Sequence, residues 1–358
     1  MRYGRVVLAF VGVFLLATVA FGQKVIRLKF ASYFPTAASQ SKLLEEFCRD
    51  VEKRTNGTVK VDFYGGEALL SATKVYDGVV QGIADIGFSH VAYTVGRFPI
   101  TELADLPHGY PSAWVSTHVV NDFYERYKPE EWKDTKVLWL NTQPPQVLIL
   151  AKKPVYKLED LKGLTIRGTG RTSEILKALG AVPKPVPMPE TYEAISRGVV
   201  EGSMTAIETL KSFRLAEVAK YVTLCYGVAD VYTFYVVMNK RTWESLPGEV
   251  QKVFDELSKE YREKAARVWN DVDFEGLKAG KEKGVTFINL TEDEMKKWQE
   301  AVQPVVEAYL KELEKAGHSR AKLNEMISYI KERTRYWLDR QKELGIKSVT
   351  GPKEIRAE

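Results

Sequence analysis

Residues 161–206 read LKGLTIRGTGRTSEILKALGAVPKPVPMPETYEAISRGVVEGSMTA, and this stretch decides the fold. Leu164, Thr165 and Ile166 make a short strand, which Gly168 and Gly170 break. Thr172 or Ser173 is placed to cap a helix that stops at Gly180. Pro183, Pro185, Pro187 and Pro189 hold the connection extended. A second helix runs from Glu190 to Arg197 and ends at Gly198. Arg167 stands at the end of the strand, where open α/β sheets bind ligands. Its guanidinium is always charged, and its planar fork matches a carboxylate.

Upstream, Val25–Ser32 alternates as a strand with Ile26, Leu28 and Phe30 on one face. Ser39–Thr55 is a helix whose stripe is Leu43, Leu44, Phe47 and Val51. Thr58–Tyr64 is a strand, Ala72–Gln81 a helix and Ile83–Phe88 a strand. This alternation predicts a parallel sheet. Residues 89–93 leave a strand end and are expected to line a cleft, with His90 among them. Trp114–Tyr127 reads as a helix, Thr135–Leu140 as a strand and residues 141–151 as a crossover between two lobes.

Downstream, a helix is expected over Glu208–Ala219, and residues 222–239 recross between the lobes. Glu249–Gly280 is one long helix. Thr291 and Glu294 form a capping box for a helix that Pro304 interrupts. Leu323–Leu344 is a further helix, and the tail from Gly345 is polar.

A chain of 358 residues, 45% apolar and 28% charged, suits a soluble protein with a sizeable core. The net charge of +5 comes from interspersed signs, which gives no nucleic-acid footprint. Residues 1–22 have a signal-peptide pattern: Arg2 and Arg5, an apolar run over Val6–Ala20, and Ala20 and Gly22 before a cut at Gln23. The mature chain is therefore expected outside the cytoplasm. Cys48 and Cys225 suit either one disulfide or two small buried side chains. The histidines at 90, 108, 118 and 318 have no metal spacing, and there is no Walker loop or nucleophile elbow. No cofactor and no catalytic role are expected.

Several runs fall in an order that resembles the DctP-type solute-binding proteins of tripartite ATP-independent periplasmic (TRAP) transporters. They are LKGLTIR and LGAVPKPVPMPETYEAISRGVVEG, preceded by KRTNGTVKVDFY and YDGVVQGIADIGF, and followed by Asn239-Lys240 and Leu246-Pro247. The resemblance spans about residues 26 to 330. ELADLPHGYPS departs from the corresponding connection, with His108-Gly109 replacing apolar residues.

The resemblance implies an α/β, two-lobed periplasmic-binding-protein fold with an interlobe cleft, a long bridging helix and C-terminal helices. Lobe I would hold residues 23–144, with 232–270 returning to it. Lobe II would hold 145–231, with the helices of 271–344 packing on it, and 345–358 would be the tail. The expected function is that of an extracytoplasmic receptor in the periplasm. It would take up a small organic acid and deliver it to the transporter's small and large membrane subunits. Arg167 would grip the carboxylate. Thr205 stands where many members have a ligand-contacting Asn, and Thr169 could assist. Gln146 lies in the crossover.

A second Arg that some members carry is replaced here by Val147, with Arg171 and Arg97 as off-position substitutes. Tyr33, Phe34, Tyr93, Tyr232 and Phe234 could wall an apolar cavity. A monocarboxylate with an apolar or aromatic body is thus favoured over a C4-dicarboxylate or sugar acid. A secreted enzyme using His90 and Glu67, or a receptor serving a sensor, are the other readings.

Overall fold

Alternation along β1 (Ile26–Ser32) sends Leu28 and Phe30 into the core and leaves Arg27 and Lys29 exposed. The computed structural model describes residues 25–228 and 230–357. The expected leader and its cleavage site lie outside the described residues. α1 (Ser39–Arg54) covers β1 with Leu43, Leu44, Phe47 and Val51. β2 (Val59–Tyr64), α2 (Val75–Val80) and β3 (Ile86–His90) follow. α3 (Ala113–Tyr127) starts at Ser112, whose Oγ accepts the Val115 N–H at 3.2 Å. β4 (Thr135–Thr142) ends the first passage.

The expected crossover over 141–151 hides a strand, β5 (Val147–Leu150). All four residues are buried, so no alternation marks it. β6 (Thr165–Arg167), α4 (Thr172–Ala178), β7 (Val182–Lys184), α5 (Met188–Ser196), β8 (Gly202–Thr205) and α6 (Thr209–Ser212) form the second passage. The helix expected over 208–219 stops at Ser212, and Arg214 takes a left-handed φ of 59°. β9 (Tyr221–Leu224) leads to β10 (Thr233–Asn239), α7 (Lys240–Ser245), α8 (Gly248–Glu282), β11 (Thr286–Asn289), α9 (Glu292–Lys315) and α10 (Arg320–Glu343).

Two sheets result, ordered β2-β1-β3-β10-β4 and β11-β9-β5-β8-β6-β7. Neither is purely parallel, contrary to the sequence expectation. β10 runs antiparallel to β3 and β4, and β5 runs antiparallel to β8 and β9. Both β5 and β10 enter their sheets from the other lobe, and each arrives against the direction of its neighbours. α8 has 35 residues, about 50 Å of helix. It lies along α1, α3 and β4 of the first lobe and reaches α6 of the second.

The C-terminal helices do not all pack on the second lobe as expected. α9 sets Trp298, Val302 and Val305 into the second lobe's core, then Tyr309, Leu310 and Leu313 into the first lobe's. α10 turns its stripe of Leu323, Met326, Ile327 and Ile330 to the first lobe. Arg333 Nε and Trp337 Nε1 both donate to Asp122 of α3. The polar tail is also tied down: Ile346 and Ile355 are buried, and Thr350 Oγ1 donates to the Pro111 carbonyl at 2.9 Å. Cys48 and Cys225 are free and buried, in different lobes, so the two-thiol alternative describes them. Burial pushes the Cys225 thiol up to about 12. Among the described residues no helix is long and apolar enough to cross a membrane.

Candidate functional site

β6 is held between β7 and β8, with Arg167 opposite Ser203. The side chains of Arg167, Ser203 and Thr205 therefore share one face of the second sheet. Arg167 is 0% exposed. Its Nε donates to the Val186 carbonyl at 2.8 Å, from the extended proline segment. Its Nη1 and Nη2 are buried and have no partner among the described residues. A desolvated guanidinium with two unused donor nitrogens costs several kcal/mol unless an anion completes it.

These donors face a cavity of about 10 Å³ lined by Arg167, Phe34, His90, Tyr232 and Phe234. Tyr33, Gln143, Met188, Glu208, Thr209 and Phe213 complete the wall. The space holds about one water molecule. Outside it lies a cleft of about 610 Å³, and Tyr33, Glu208 and Phe213 line both. Those three side chains are thus the partition between the interior and the open cleft. Tyr33 stacks on Phe213 with ring centroids 6.3 Å apart, and Phe34 meets Phe213 edge-on at 5.2 Å. Both contacts join one lobe to the other.

His90 is buried and stacks on Tyr232 at 4.7 Å, nearly parallel. Burial and then the Arg167 charge hold its pKa well below the ordinary value, so the ring is neutral at pH 7. Other polar atoms left without partners in the interior include His90 Nδ1, Gln143 Nε2, Ser203 Oγ and Thr205 Oγ1.

Four of the residues singled out from sequence lie off the cavity wall. Thr205 sits on the same sheet face as Arg167 but is not among the lining residues. Thr169 gives its N–H and hydroxyl to Tyr232 Oη, at 3.3 and 3.0 Å. Tyr93 Oη accepts the Met188 N–H at 2.7 Å, a bond between lobes. Gln146 turns away, and its Nε2 donates to Asp230 Oδ1 at 2.6 Å and Thr172 Oγ1 at 3.0 Å. Thr172 Oγ1 lies 2.7 Å from both Asp230 Oδ2 and Tyr232 Oη, so it serves this hinge network and does not cap α4. Burial pushes the Asp230 carboxyl up to about 7.

Gln143, Met188, Glu208, Thr209 and Phe213 carried no sequence signal for the site. They come from three separate segments, and only folding brings them together.

Neither substitute cation is free. Arg171 Nε donates to Glu102 at 2.8 Å, its guanidinium also pairs with Glu312, and it lies 3.7 Å over the Tyr309 ring. Arg97 pairs with Asp134 and lies over Tyr76. Glu67 accepts the Ala72 N–H at 2.6 Å and lines the outer cleft only, apart from His90. Among the described residues no cluster of His, Cys, Asp and Glu could hold a metal ion.

A family model described as bacterial extracellular solute-binding protein, family 7 (DctP) matches residues 30–312. The chain is 33% identical to a TRAP periplasmic solute-binding protein of Desulfovibrio salexigens, solved as an open complex. The match covers 87% of this chain and 96% of that one, with a TM-score of 0.75. It is 27% identical to a marine-metagenome TRAP solute-binding protein specific for aromatic acid ligands, in complex with metahydroxyphenylacetate. There the coverage is 87% and 99% and the TM-score 0.82. It is also 24% identical over 300 residues to the C4-dicarboxylate-binding periplasmic protein DctP of Rhodobacter capsulatus, covering 78% of this chain and 84% of that one.

Proposed function

The chain belongs to the DctP family of bacterial extracellular solute-binding proteins, and from that premise we propose that its ligand is a monocarboxylate with an aromatic body. As a member it is an extracytoplasmic TRAP receptor for a small organic acid and not a catalytic domain. The observation that carries the finer reading is Arg167: fully buried, with both terminal nitrogens unpartnered beside an aromatic-walled cavity. A carboxylate leaving water needs its hydration replaced. Two parallel charge-assisted bonds from Nη1 and Nη2 do this, at about 1.5–3 kcal/mol each. Phe34, His90, Tyr232, Phe234 and Phe213 then enclose an apolar body.

A dicarboxylate finds no second cation. Arg167 is the one cationic side chain among the lining residues, His90 is neutral, and Arg171 and Arg97 are engaged elsewhere. The similarity to a receptor specific for aromatic acids supports the same choice. The acid is handed on to the small and large membrane subunits of the transporter. Export through a cleavable leader over residues 1–22 places the chain in the periplasm. Thermal-shift screening tests the ligand class: aromatic monocarboxylates raise Tm, and Arg167→Ala removes the shift. A shift produced only by C4-dicarboxylates would reverse the assignment.

A further inference from the structure

Glu208 is the one carboxyl side chain among the residues that line the inner cavity, and it is 2% exposed. Its backbone is fixed. The Glu208 N–H donates to Asp273 Oδ1 of α8 at 2.9 Å. The preceding carbonyl, of Ile207, would lie 2.2 Å from a Cβ on Gly276, so the segment rests directly on the α8 backbone. The side chain is held through one oxygen only. Oε2 accepts from Gln40 Nε2 of the first lobe at 3.0 Å and from Ser212 Oγ at 2.5 Å. Both bonds fall on Oε2, which leaves Oε1 to accept from elsewhere.

The nearby ammonium of Lys211 is paired with Glu275 at 2.8 Å. Burial pushes the Glu208 carboxyl up to about 7, against the bonds from Ser212 and Gln40 that lower it. Glu208 thus offers an acceptor oxygen with no paired cation among the described residues, where the cavity and the cleft meet.

We propose that Glu208 is a specificity residue that selects aromatic acids carrying a hydroxyl at the end remote from the carboxylate. The inference rests on the carboxylate reading of Arg167. Arg167 and Glu208 line the same cavity together with several aromatic side chains, so a ligand that reaches both is anchored at both ends. The ligand O–H donates to Glu208 Oε1. An acid without the hydroxyl forgoes this bond to the Glu208 carboxylate, and that loss discriminates between the analogues. A second carboxylate sets acceptor against acceptor at Oε1, with no donor between them, and is rejected. An ammonium would demand a fully ionised Glu208 in a dry site, which burial opposes.

Calorimetry on the full mature chain tests this with phenylacetate and its 3- and 4-hydroxy, 4-carboxy and 4-aminomethyl analogues. Wild type prefers one hydroxy analogue over phenylacetate by about tenfold or more, and rejects the carboxy analogue by at least as much. Glu208→Leu brings the hydroxy preference to within about threefold, and Glu208→Gln, which keeps an acceptor, retains part of it. Because the readout is a ratio of affinities, partial unfolding of a variant leaves it interpretable. An unaltered ratio in Glu208→Leu overturns the proposal, as does an aminomethyl analogue that binds tightest. Arg167-dependent binding of phenylacetate with no hydroxyl preference refutes this inference alone. Failure of every acid to bind refutes the carboxylate reading with it.

Discussion

Arg167 shows how one residue sets stability against function. Its guanidinium is out of water with a single neutral acceptor, the Val186 carbonyl, and its other donors wait for an anion. Arg167→Met keeps the volume and removes the charge. We expect it to raise the unliganded protein's stability by about 1–4 kcal/mol in urea unfolding. The same variant should weaken acid binding by about 2–5 kcal/mol, roughly 30- to 5,000-fold. A destabilised variant that still binds would contradict both halves. Asp230 and Glu208 add a pH dependence. Burial raises both carboxyls to about 7, above their ordinary values. Between about pH 4 and 7 the folded chain keeps protons that the unfolded chain has released, so stability falls as pH rises through that window. The loss is on the order of 3 kcal/mol per group at the alkaline end. Unliganded Tm should therefore be higher at pH 5.5 than at pH 8, and Asp230→Asn should flatten the slope. Equal slopes in the two proteins would rule Asp230 out as a contributor.

At the scale of elements, the turn between β6 and α4 packs directly against the opposite lobe. Gly170 has φ +51°, and a Cβ there would lie 2.7 Å from the Ala92 Cβ of the opposite lobe. Gly170→Ala combines a left-handed penalty of about 1 kcal/mol with a clash across the contact between the lobes. It should weaken binding about tenfold or more, mainly through faster dissociation measured by stopped flow. An unchanged dissociation rate would show that closure does not press these atoms together. Much of this layer was legible in sequence, because amphipathic stripes report burial: α1, α3, α8 and α10 lie close to where periodicity puts them. β5 was hidden, since a strand buried on both faces does not alternate. The short α6 was overextended, since nothing local announced the left-handed Arg214.

For the molecule as a whole, polar contacts across the cleft join the two lobes. Tyr93 bonds the Met188 N–H, Gln40 bonds Glu208, and Arg171 pairs with Glu102. The interior then holds about 10 Å³, far less than an aromatic acid fills, while the cleft outside spans about 610 Å³. We therefore expect ligand entry to require hinge opening, and a bound ligand to shift the population toward a closed form. Small-angle scattering should show a smaller radius of gyration once a binding acid is added. No contraction at saturation would argue against a hinge mechanism.

The chain alone determined the succession of strands and helices, because local periodicity and glycine and proline punctuation are properties of neighbouring residues. It also marked Arg167, Phe34, His90, Tyr232 and Phe234, since strand ends and crossing segments point to a cleft. Only the tertiary structure decided what stands opposite Arg167. Gln143 rather than Gln146 lines the cavity, because one glutamine of the Gln-Pro-Pro-Gln run faces inward and the other answers Asp230. Glu208 and Phe213 reach the partition because the segment carrying them rests on the backbone of α8. Such contacts join residues far apart in the chain, and no local pattern encodes them.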